Sequence, residues 1–183
     1  SLEGQSNPYT ATLTPESGRW QFGAANGVFS GSSHAWASIG NHIHSFWLLS
    51  PLIDLDANAN MLSVDLAITR PTGNMVPMTP DAQDNTIIKV LISADYGATW
   101  TSLQSWKHEM GYTDLESLTP AGTTRSYNLS AYANQDILIG FYMECTDPDD
   151  AANRIHIDNF NVTSFDPTLP PTAVTVSEVA GHS

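Results

Sequence analysis

The chain has 183 residues, 6 Lys and Arg against 19 Asp and Glu, a formal net charge of −13 and one cysteine. A chain of this size can bury one sizeable core without disulfides, and the lone Cys145 excludes an intrachain disulfide and a cysteine zinc site. The acidic balance excludes a nucleic-acid partner and docking on anionic lipid, both of which need a Lys/Arg stripe, and no apolar run approaches the roughly 20 residues needed for membrane insertion.

The periodicity predicts strands. Leu62, Val64, Leu66 and Ile68 alternate with Ser63, Asp65, Ala67 and Thr69, which is the period of a half-buried strand. The stretch from Thr69 to Asn85, with Pro71, Pro77 and Pro80, reads as a long loop. Ile88, Val90 and Ile92 repeat the alternation, and the turn residues Asp95-Tyr96-Gly97 follow. Thr113 to Leu118 is long enough for one helical turn. Ile137, Ile139, Phe141 and Met143 form a strand with apolar residues on much of both faces, so it is expected at the centre of a sheet. No segment sustains a helical period over the ~11 residues that would identify one. Many short strands joined by loops make an all-β sandwich.

Arg154 to Val162 is the most informative segment. Ile155 and Ile157 share one face, but the next apolar residues are Phe160 and Val162, so the phase slips by one at Asp158-Asn159. A β-bulge produces such a slip and re-aims side chains. Asp158 is therefore a carboxylate held at a kink beside the core, either as a Ca²⁺ ligand or bonded to loop backbone N–H groups.

Four segments resemble one family. Trp47-Leu48-Leu49-Ser50-Pro51-Leu52-Ile53-Asp54-Leu55, Ile92-Ser93-Ala94-Asp95-Tyr96-Gly97-Ala98-Thr99-Trp100, Asn128-Leu129-Ser130-Ala131-Tyr132-Ala133-Asn134-Gln135-Asp136-Ile137 and Ile155-His156-Ile157-Asp158-Asn159-Phe160 are similar, in order and spacing, to motifs of the MAM-like domains of secreted bacterial proteins known as cleaved adhesin or choice-of-anchor J domains. The resemblance implies a jelly-roll β-sandwich of two antiparallel sheets. It also implies a structural calcium held by the late aspartate, here Asp158, and an early glutamate, for which Glu16 is the candidate. The chain departs from the family around Glu16, where the preceding aromatic is missing, and after Trp20, where Gln21-Phe22-Gly23-Ala24 replaces an acidic loop. The resemblance also places Trp100 in the core.

Other constellations are weaker. His42 and His44 would share one strand face, as a metal pair or as two surface histidines. Asp65 and Glu144 would be either an acid pair across strands or two outward polar residues. Trp106 lies between Ser105 and Lys107, and Tyr112 follows in a polar stretch. Both are expected to be exposed and to form a ligand-binding surface.

The proline-rich run Pro167-Thr168-Leu169-Pro170-Pro171 and the restarted alternation at Val174 and Val176 divide the chain into a domain at 1–164 and a linker with a following strand at 165–183. The alternative is that Val174 and Val176 belong to a last strand of the same domain. The expected role is a non-catalytic extracellular or cell-surface adhesion module that binds a surface protein or glycan beside neighbouring domains of its own chain. The alternative is a carbohydrate-binding module of a glycan-degrading enzyme, which a cluster of exposed aromatics beside Asn or Asp would favour.

Overall fold

The computed structural model describes residues 20–40, 43–78, 86–107, 113–147 and 152–165. The strands are β1 (Gln21–Gly23), β2 (His34–Ile39), β3 (His44–Leu49), β4 (Ile53–Asp54), β5 (Ala59–Thr69), β6 (Thr86–Ser93), β7 (Thr101–Trp106), β8 (Thr123–Asn128), β9 (Asp136–Cys145) and β10 (Asn153–Phe165). They form two antiparallel sheets, one in the order β1-β2-β10-β5-β8 and the other in the order β3-β9-β6-β7, with β4 also paired to β9. The fold is the expected all-β jelly-roll sandwich.

Alternation generates the core. Val64 and Leu66 of β5 and Ile155 and Ile157 of β10 face Phe46 of β3, Ile88 and Val90 of β6, and Ile139 and Phe141 of β9. β9 lies between β3 and β6, the interior place expected of a strand apolar on both faces. Its outward Tyr142 packs with Trp47, Leu49 and Leu91 in a second buried cluster on the outer face of that sheet. Trp100 joins this satellite cluster half-buried, with its ring 5.0 Å from that of Trp47, and so lies outside the main core in which it was expected. Gly140 makes the cluster fit, because a Cβ there would come within 2.9 Å of both indoles.

The turn after β6 is held by its own side chains. The Asp95 carboxylate accepts from Ser93 Oγ, the Thr99 backbone N–H and Thr99 Oγ1, which depresses its pKa to about 2. One helical turn does form between β7 and β8, a 3₁₀ turn at Leu115–Ser117 capped by Asp114.

Candidate functional site

β10 carries the expected bulge. It pairs with β5 from Arg154↔Thr69 to Asp158↔Asp65, then resumes at Asn161↔Ser63 with a shifted register. Asn159 takes a left-handed φ of 50° at the slip, a conformation that Asn tolerates better than most residues. The residue left over is Phe160, which turns out of the ladder and packs edge-on against Phe141, with centroids 6.1 Å apart.

The bulge opens into a groove of about 410 Å³ where β1, β2 and β10 meet the edge strand β3. Leu48, Pro51 and Ile157 give it apolar walls, and Asp158 and Asn159 border it. Two phenyl rings flank it: Phe22 of β1 is 69% exposed and Phe160 38%. A volume of several hundred Å³ and apolar walls are among the usual attributes of a small-ligand site.

On its other side the bulge borders a polar cleft lined by Ser30, Ser32, Ser33, Asp65, Asp158 and Asn159. Asp65 and Asp158 are directly opposed in register, an arrangement in which like charges repel. Donors offset part of that repulsion. Asp158 accepts from Ser32 Oγ at 3.0 Å and from the Asn159 backbone N–H at 2.9 Å. Asp65 accepts from Thr124 Oγ1 and from Asn159 Nδ2. Asp158 is thus hydrogen-bonded and faces a second carboxylate across an open cleft. Among the described residues no group of three or more His, Cys, Asp or Glu is placed to hold a metal. Glu16 lies outside the described residues.

Beneath the cleft a buried polar chain ties three strands together. His34 Nδ1 donates to Ser32 O at 2.8 Å, and its Nε2 is hydrogen-bonded to His156 Nδ1 at 2.9 Å. His156 Nε2 is hydrogen-bonded in turn to Thr69 Oγ1 at 2.9 Å, whose hydroxyl donates to Arg70 O. Burial, then His34, then Arg154 push the His156 pKa down to about 3, so the ring is held neutral.

Trp106 corrects the expected binding surface. It is fully buried, packed in the core with Leu115 and Leu118, and the Arg125 guanidinium lies 5.7 Å from its ring centroid. Its polar neighbours Ser105 and Lys107 are what an inward residue on an alternating strand should have. Reading them as a sign of exposure mistook one face of β7 for both. Trp106 therefore cannot dock a ligand, and Tyr112 lies outside the described residues. His44 is likewise buried, beside Phe46, and is not a surface histidine, while His42 lies outside the described residues. Asp65 and Glu144 alternate with core residues of different sheets and point to opposite outer faces, so they cannot flank one bond. Phe22 went unrecognised as a site residue, because its neighbours Gln21 and Gly23 distinguish it no better than Ser105 and Lys107 distinguish Trp106.

No family model matches the sequence, and no curated protein does. Solved structures match the fold. The K1 cleaved adhesin domain of Lys-gingipain from Porphyromonas gingivalis superposes with a TM-score of 0.50 and 15% identity, over 81% of this chain and 85% of that one. A CBM27-1 of Caldicellulosiruptor saccharolyticus, in complex with mannohexaose, superposes with a TM-score of 0.48 and 8% identity, over 85% of this chain and 87% of that one. TmCBM61 in complex with β-1,4-galactotriose gives 0.45 and 15%, over 90% of this chain and 100% of that one. At these identities the likeness defines a class, the jelly-roll sandwich shared with an adhesin domain, and leaves the ligand to the site itself.

Proposed function

We propose that the chain is a non-catalytic extracellular binding module whose groove at Phe22 and Phe160 holds a saccharide. The observation that carries this is two exposed phenyl rings flanking an apolar recess. A pyranose offers a C–H face to an aromatic ring, and Phe22 and Phe160 present such rings. Asp158 is the one acidic residue among the described residues that line the groove, whereas glycoside hydrolysis generally uses a pair flanking the scissile bond.

Affinity electrophoresis through gels containing neutral β-glucan, mannan or galactan tests the reading. At least one should retard the protein, and the protein should release no reducing ends from it. Replacing Phe22 and Phe160 by Ala should weaken retention about tenfold to a hundredfold, the range for losing interface aromatics, while leaving the melting temperature nearly unchanged for Phe22→Ala. Retention that survives both substitutions would place the ligand elsewhere.

Calcium at Glu16 and Asp158 is proposed as a structural cofactor. The opposed Asp65 and Asp158 carboxylates support it, because a divalent cation would relieve their repulsion. Saturating a site a hundredfold over its dissociation constant stabilises the fold by about 2.7 kcal/mol. Calorimetry with calcium and with chelator should show the corresponding rise in melting temperature. Coincident melting curves would dismiss the ion.

A further inference from the structure

Past the groove, the chain leaves β3 through Ser50 and Pro51 and stays beside β9. The Ser50 backbone N–H donates to Ile139 O at 2.9 Å, and β4 then pairs Ile53 with Ile137 and Asp54 with Asp136. Pro51, Leu52 and Asp54 are exposed along this edge. On β9 the edge runs from Phe141 in the groove wall to Asp136, a span of about 17 Å at the rise of an antiparallel strand. Tyr96 stands at its far end. It belongs to the turn after β6, and its hydroxyl donates to Asp136 Oδ2 at 3.1 Å. The residue is 70% exposed, yet its backbone takes a left-handed φ of 59°, which a side chain with a Cβ adopts at a steric cost. The turn holds it there: Asp95 ties Ser93 to Thr99, and the Gly97 backbone N–H donates to Ser93 Oγ at 2.8 Å. A strained backbone thus fixes in place a ring that buries little of its own surface. Packing does not repay that cost, whereas a ligand that uses the ring's face would.

We infer that the saccharide site extends from the groove along the edge of β4 to Tyr96, so that it takes an extended oligosaccharide segment of a polysaccharide, with the Tyr96 ring stacking on a sugar beyond the groove. The inference rests on the saccharide reading of the groove. The span from Phe141 to Asp136 is longer than a disaccharide, so Tyr96 is reached only by a longer chain. A ring already held in place, by its hydroxyl and by its turn, loses little freedom when a sugar settles on it, and its face offers the π-surface that a pyranose C–H face requires.

The experiment cuts the neutral polysaccharide that retards the protein to a disaccharide and a hexasaccharide, and measures both affinities by titration calorimetry. The hexasaccharide should bind at least about tenfold more tightly, the scale of one added aromatic contact. Tyr96→Gly removes the ring and relieves the left-handed strain. It should abolish the gain with chain length, leave the disaccharide affinity as it was, and leave the melting temperature no lower. Tyr96→Asn, whose side chain also tolerates this backbone, should do the same and carries the test if the Gly variant does not fold. Equal affinities for the two lengths, or a gain that survives both substitutions, overturns the extension while the groove stands as a saccharide site. A melting temperature that falls in both variants makes Tyr96 a structural residue and overturns it as well. If no polysaccharide retards the protein, the saccharide reading itself fails and takes the extension with it.

Discussion

At the scale of single residues, His156 shows how burial becomes a pH dependence. It is fully buried, faces His34 from β2 and Thr69 from β5, and shares its own strand face with Arg154 and Asp158. Its folded pKa, about 3, lies far below the ordinary 6.5. A depressed base means that the unfolded chain binds the proton more readily. The stability it contributes is therefore complete above about pH 6.5 and is lost as pH falls toward 3, by up to about 1.4 kcal/mol per pH unit. Carboxylates such as Asp95, depressed to about 2, add acid sensitivity only below about pH 4. Urea unfolding between pH 7 and 4.5 should show a decline that His156→Gln abolishes. A flat profile for the unaltered protein would mean that the ring accepts a proton without unfolding.

At the scale of elements, β10 does the most. Up to Asp158 it is an ordinary central strand, and the left-handed Asn159 then shifts its register against β5. One residue of slip aims Phe160 at the groove, just after Asp158 has paired with Asp65 at the cleft. A β-branched residue strongly disfavours this backbone. Asn159→Val should cost about 1–2 kcal/mol and reduce saccharide retention along with it. Asn159→Gly keeps the backbone and loses only the bond to Asp65, so it should retain most of the binding. Denaturant melts paired with gel retention separate the two variants. If Val binds as well as Asn, the bulge does not shape the site.

At the scale of the whole molecule, charge dominates. With 19 acids against 6 bases, most carboxylates have no basic partner, and the compact state works against its own repulsion. Screening sets in over a Debye length of about 10 Å near 0.1 M salt. The melting temperature should therefore rise as sodium chloride increases from low to moderate concentration. A fall would show that favourable charge contacts outweigh the repulsion. Among the described residues no helix is long and apolar enough to cross a membrane.

Much of this architecture was legible in the linear chain because it depends on local, periodic signals. The alternation of β5, β6 and β9 announces two-faced strands, the apolar content of both faces of β9 announces its interior place, and the missed beat at Asp158-Asn159 announces a bulge. Each follows from the two-residue repeat of an extended backbone. What the chain alone could not decide is which exposed-looking residue is truly exposed. Trp106 and Phe22 both stand among polar neighbours, yet Trp106 is fully buried and Phe22 is 69% exposed. The difference depends on what the opposite sheet brings to each face. β7 lies over a packed interior closed by Leu115 and Leu118, whereas β1 ends at the open seam beside β3. Burial is a property of non-local contacts, so the strands could be read from the sequence, and the groove existed only once two sheets had been laid together.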